Sequence, residues 1–98
     1  VAASLALGCR VRIADGVLAR DLEDEVVLLD LKSGVYCSLE GVGARIWNLL
    51  EPGRTLRQVL AWLVAEYDVE PSRCARDLLT FVTELRARGL VEVDDPHR

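Results

Sequence analysis

Three thiols, a run of carboxylates, a set of arginines and a few aromatic rings are the groups in this sequence that could do chemistry. Cys9, Cys37 and Cys74 are odd in number and widely spaced, so neither a disulfide framework nor a C-x-x-C site is visible. Free thiols in a reducing, cytoplasmic compartment fit that pattern. Cys37 and Cys74 fall on apolar faces with no histidine to activate them, and they read as buried, inert cysteines. The single His is His97, next to the C-terminus, which removes His-based triads and His-rich metal sites. Asp21, Glu23, Asp24 and Glu25 cluster. An acid/base pair, however, needs one carboxyl desolvated by apolar walls, and this cluster falls at an expected loop. No catalytic residue, no metal site and no cofactor is expected, so the chain reads as a binding module rather than an enzyme.

The arginines Arg73, Arg76, Arg86 and Arg88 share one expected helix with Asp77 and Glu84. They could form a phosphate-binding face, or a solvated face whose last cations offset the helix dipole. A formal net charge of -4 favours the second reading. It argues against nucleic acid and against anionic membranes as partners. Trp47 and Trp62 read as core or core-rim residues. Tyr36 alternates with Val35 and Cys37. If Val35, Cys37 and Leu39 face the core, Tyr36 and Ser38 face outward on an edge strand, where an aromatic ring can pack on a partner or shield the sheet's own edge.

Positioning these groups falls to one small domain. The 98 residues are 51% hydrophobic and 29% charged, which excludes disorder and allows one modest core over residues 1–98. No apolar run approaches the ~18 residues of a membrane helix. Ala6-Leu7-Gly8-Cys9 has the look of a lipoprotein cleavage box but lacks the basic and long apolar segments before it, so lipidation is not expected. Met is absent even at position 1, so the sequence begins at a processed or alternative start or inside a longer chain.

Residues 10–39 read as strands. Arg10-Val11-Arg12-Ile13 alternates, Asp15-Gly16 is a turn, and Val17 to Leu22 is extended. Val26-Val27-Leu28-Leu29 reads as a central strand. Asp30 to Gly34 is a tight turn into the strand Val35 to Leu39, so residues 17–39 make a three-stranded antiparallel meander with that last strand an expected edge. The period then becomes helical. Val42, Ile46, Leu49 and Leu50 mark a first helix, ended by Pro52-Gly53. Thr55 and Gln58 form a capping box before the stripe Leu56, Val59, Leu60, Leu63, Val64 and Tyr67. Pro71 opens a third helix with the apolar face Cys74, Leu78, Phe81, Val82 and Leu85, closed by Gly89. Helices of roughly 10, 12 and 18 residues are expected. Leu90 to Val93 is a short strand, and a frayed tail runs from Asp94. The expected fold is α+β: an N-terminal three-stranded antiparallel sheet, about residues 10–39, then a three-helix winged helix-turn-helix-like unit, about 41–93.

The stretch from Asp24 to Leu39, the continuation Gly43-Ala44-Arg45-Ile46-Trp47-Asn48-Leu49-Leu50, and the later Thr55, Val59, Leu63, Tyr67-Asp68-Val69 and Leu85 to Val91 follow one another in an order that resembles the PqqD-like family. The resemblance covers roughly residues 17–93. Glu40 departs from it, standing where the family often has Asn. Members of that family are recognition elements for ribosomally made precursor peptides. The resemblance implies that a leader segment adds as a strand along the third strand, with side chains entering a groove beside the third helix. It implies as partners the precursor leader and a leader peptidase or other modifying enzyme, in lasso peptide biosynthesis or alternatively in pyrroloquinoline quinone biosynthesis. The peptide-binding residues so expected are Val35, Tyr36, Cys37, Ser38 and Leu39 on the strand. Helix spacing adds Leu78, Leu79, Val82 and Leu85 as groove lining, with Arg76 and Arg86 at its rim. A winged-helix DNA-binding regulator or a structural docking domain is the alternative.

Overall fold

A computed structural model of the chain describes residues 6–50 and 53–94. Pro52 and the tail residues 95–98, with His97, lie outside the described residues. The elements run β1 (Arg10–Ile13), β2 (Val17–Leu22), β3 (Glu25–Asp30), β4 (Tyr36–Glu40), α1 (Gly41–Leu50), α2 (Leu56–Tyr67), α3 (Pro71–Ala87) and β5 (Val91–Asp94). The α+β architecture therefore matches the expectation at the level of strands followed by three helices.

The sheet expected over residues 10–39 is corrected in one respect. Strand β1 does not join it; β1 pairs antiparallel with β5, Val11 opposite Val93 and Ile13 opposite Val91. Its alternation buries Val11 against the helical core; β5 pairs along its length, and Thr55 makes an isolated antiparallel bridge to Arg10 at its start. Arg12 bridges to Glu92 at 2.6 Å and to Asp94 at 3.3 Å across this pair, with all three side chains about half exposed, so the bridges add little stability. Asp94, expected in the tail, is the last residue of β5.

The remaining strands form the sheet β2-β3-β4, the antiparallel meander expected over residues 17–39, with β3 central as its apolar run requires. Val26 and Leu28 point into the core. The β3–β4 turn is organised by Asp30, whose carboxylate accepts the Lys32 N–H at 3.0 Å and the Ser33 hydroxyl at 3.1 Å. Gly34 takes φ +75°, where a side chain would be strained, and its N–H closes the turn on the Asp30 carbonyl at 2.8 Å.

Helices α1, α2 and α3 have 10, 12 and 17 residues. The Thr55–Gln58 capping box is closed in both directions, at 3.2 and 2.9 Å. Helix α3 ends in a Schellman motif: the Gly89 N–H donates to the Arg86 carbonyl and the Leu90 N–H to the Leu85 carbonyl, both at 3.0 Å. That motif turns Leu90 back under Leu85, both buried, and aims β5 at β1. Trp47 is wholly buried at the centre of the core, whereas Trp62 is 49% exposed under the Arg54 guanidinium at 5.8 Å. Arg45 on α1 donates to both carboxylate oxygens of Glu66 on α2, pinning the two helices at one side. Among the described residues no helix is long and apolar enough to cross a membrane.

Candidate functional site: an open strand edge beside an apolar groove

Among the described residues, strand β4 is paired on one side only, by β3. Which of its backbone groups are free follows from two hairpin bonds. The Asp30 N–H donates to the Val35 carbonyl at 2.9 Å, so the even residues of β3 bond to β4. Independently, the Leu31 N–H donates to the Gly16 carbonyl at 2.8 Å, so the odd residues of β3 bond to β2. In the register Leu28↔Cys37 and Val26↔Leu39, the backbone groups of Cys37 and Leu39 are therefore spent on β3. The N–H and C=O of Tyr36 and Ser38, and the N–H of Glu40, point to the open edge. The side chains of Cys37 and Leu39 pack toward the core, and Tyr36 is 71% exposed on the opposite face. The Ser38 hydroxyl donates to the Glu25 carboxylate on that outer face.

Next to the C-terminal half of this edge lies a groove of about 740 Å³. Ser38, Leu39 and Glu40 form one wall, and Val42, Gly43 and Ile46 of α1 form the floor. The end of α2 and the following loop contribute Leu63, Tyr67, Val69 and Glu70. Helix α3 supplies Arg73, Cys74, Asp77, Leu78 and Phe81. The interior is apolar, and the charges stand at the mouth. The pKa of the Cys74 thiol is raised, first by burial and then by the negative charge of Asp77, which favours its protonated form.

The structure brings together part of the site expected from sequence. Tyr36, Cys37, Ser38 and Leu39 all lie on the edge strand, while Val35 falls in the turn before it, 64% exposed rather than core-facing. Leu78 lines the groove. Val82 and Leu85 do not: they are sealed in the core, at 0% and 3% exposure, because α3 is rotated so that this side of its stripe meets the other helices. Leu79 is half-buried outside the groove wall, and Arg76 and Arg86 are exposed but not at its rim, where Arg73 stands instead. Cys37 and Cys74 are half-buried rather than buried, and all three cysteines are free. The α1 and α2 walls were missed. Val42 reads as a core position by periodicity, yet it is 48% exposed and turned into the groove. The aromatic Tyr67 closing the α2 stripe, followed by Val69 in a loop, was the signal available for the other wall. Of the acidic cluster, Glu23 and Asp24 sit exposed in the β2–β3 turn, whereas Asp21 lies exposed on β2 and Glu25, half-buried, opens β3 rather than lying in a loop.

The family model described as Coenzyme PQQ synthesis protein D (PqqD) matches residues 25–91. Two solved structures are similar. One, TbiB1 in complex with the TbiA(beta) leader peptide, is 41% identical with a TM-score of 0.81, over 83% of this chain and 94% of that one. The other, a lasso peptide synthetase B1 complexed with the leader peptide, is 30% identical with a TM-score of 0.77, over 84% of this chain and 96% of that one. No curated protein sequence matches the chain.

Proposed function

This chain belongs to the PqqD family, and we propose that it is a single, non-catalytic recognition domain that binds the leader segment of a ribosomally made precursor peptide in lasso peptide biosynthesis. The leader adds as a fourth strand along β4 and is carried to a leader peptidase or other modifying enzyme in the cytoplasm. The observation that carries this reading is the unpaired edge of β4 running directly into an apolar groove. The two similar solved structures, each bound to a leader peptide, support it. The three free thiols suit a reducing compartment.

The energetics require both parts of the site. The four N–H and C=O groups of Tyr36 and Ser38, at a net ~0.5–1.5 kcal/mol per bond, supply at most ~6 kcal/mol. Micromolar affinity needs about 8.2 kcal/mol after association entropy is met. An apolar side chain fully buried in the groove adds ~1.5–3 kcal/mol. Backbone pairing alone therefore falls short, and apolar anchors seated in the groove of about 740 Å³ must supply the rest. Titration of the TbiA(beta) leader into this protein, followed by fluorescence anisotropy, tests the reading. Saturable binding that a scrambled peptide does not compete supports it; no binding beyond the scrambled control contradicts it.

A further inference from the structure

We infer that Gly43 is a specificity-determining residue: its missing side chain leaves the groove floor one methyl deeper, between Leu39 and Phe81, beneath an apolar side chain of the bound strand. This rests on the leader-binding reading above. Gly43 is the third residue of α1 and lines the groove with its bare Cα. A Cβ placed there would stand 3.4 Å from Cε1 and Cζ of Phe81 and 3.9 Å from Cβ of Leu39, both groove walls. The added methyl would therefore fill the angle where β4, α1 and α3 converge.

Nothing in the backbone asks for glycine here. Gly41 has φ +57°, but Gly43 is not in the left-handed region. Glycine within a helix is less favourable than alanine. Nor does packing forbid a methyl, since contacts at 3.4 Å and beyond are ordinary van der Waals distances. Helix stability alone would place alanine at this position. What the glycine leaves is a methyl-sized gap bounded by Phe81 and Leu39, and that gap is inside the groove.

The test is Gly43→Ala, titrated with the TbiA(beta) leader and with versions of that peptide in which each apolar residue is replaced by alanine in turn. The variant is expected to melt at the same or a higher temperature and to bind the intact peptide about tenfold or more weakly. One alanine-substituted peptide is expected to lose less affinity with the variant than with the original protein, which identifies the side chain seated at Gly43. Adding Phe81→Leu to Gly43→Ala, which withdraws the opposing wall, is expected to recover binding. Equal affinity of Gly43→Ala and the original protein for the intact peptide would overturn the inference while leaving leader binding intact. Failure of the original protein to bind the peptide at all would instead overturn the leader-binding reading beneath it.

Discussion

Proline at position 38 separates the open edge of β4 from its paired side. The Ser38 N–H points away from β3, so Ser38→Pro removes no bond of the sheet, and proline is tolerated on such an edge. The hydroxyl's bond to Glu25 is exposed, so its loss costs about 1 kcal/mol or less. The effect on an added strand is larger. The substitution deletes one donor, and the ring stands where the incoming backbone must approach. The four bonds of Tyr36 and Ser38 then fail together, a loss of ~2–6 kcal/mol. At 1.4 kcal/mol per factor of ten, affinity falls by roughly 30-fold or more. The control is Cys37→Pro, whose lost N–H served Leu28 inside the sheet. It leaves a buried carbonyl unpaired at a cost of about 1–3 kcal/mol, and the unfolding midpoint falls accordingly. Anisotropy titration with the TbiA(beta) leader and urea denaturation read the two effects. Undiminished binding by Ser38→Pro would refute strand addition at β4. Greater destabilisation by Ser38→Pro than by Cys37→Pro would refute the assignment of inward and outward groups.

The remaining predictions concern core, cap and thiol. Leu85→Ala should lower stability by about 2–5 kcal/mol in urea denaturation, because Leu85 is sealed in the core, while the affinity of the folded protein for the leader stays unchanged. Thr55→Ala, which opens the capping box of α2, should cost about 1 kcal/mol in the same assay. Cys74, with its pKa raised by burial and Asp77, should react with iodoacetamide at pH 8 more slowly than an unfolded-chain thiol, and more slowly still with leader bound. Because the folded protein holds that proton more tightly than the unfolded chain, its contribution to stability is present below the ordinary thiol range. That contribution is lost as pH rises through it, so a Cys74→Ser variant should show a flatter stability profile in alkali.

Local signals in the sequence were enough for the helices. The Thr55–Gln58 box, Pro71 and Gly89 each act within a few residues of themselves, and each appears where its chemistry placed it. The central strand was equally legible, since Val26 to Leu29 is apolar on both faces. The partner of β1 was not. Four alternating residues state that one face is buried but not which strand lies alongside, and β5 lies at the far end of the chain. The groove was half legible for a related reason. Periodicity defines the apolar stripe of α3 but not which side of it the neighbouring helices cover. Phe81 and Cys74 took the open side, and Val82 and Leu85 the closed one. Gly43 carries no hydrophobicity, so no pattern of apolar residues could have marked it.

The central claim is that a peptide completes the β4 edge, and amide hydrogen exchange with and without the TbiA(beta) leader tests it most directly. Slowed exchange is expected at Tyr36, Ser38 and Glu40, whose N–H groups are unpaired in the sheet, with little change at Cys37 and Leu39, already bonded to β3. Protection that appears instead along the outer edge of β2, or binding that leaves the amides of Tyr36 and Ser38 exchanging as before, would contradict the account.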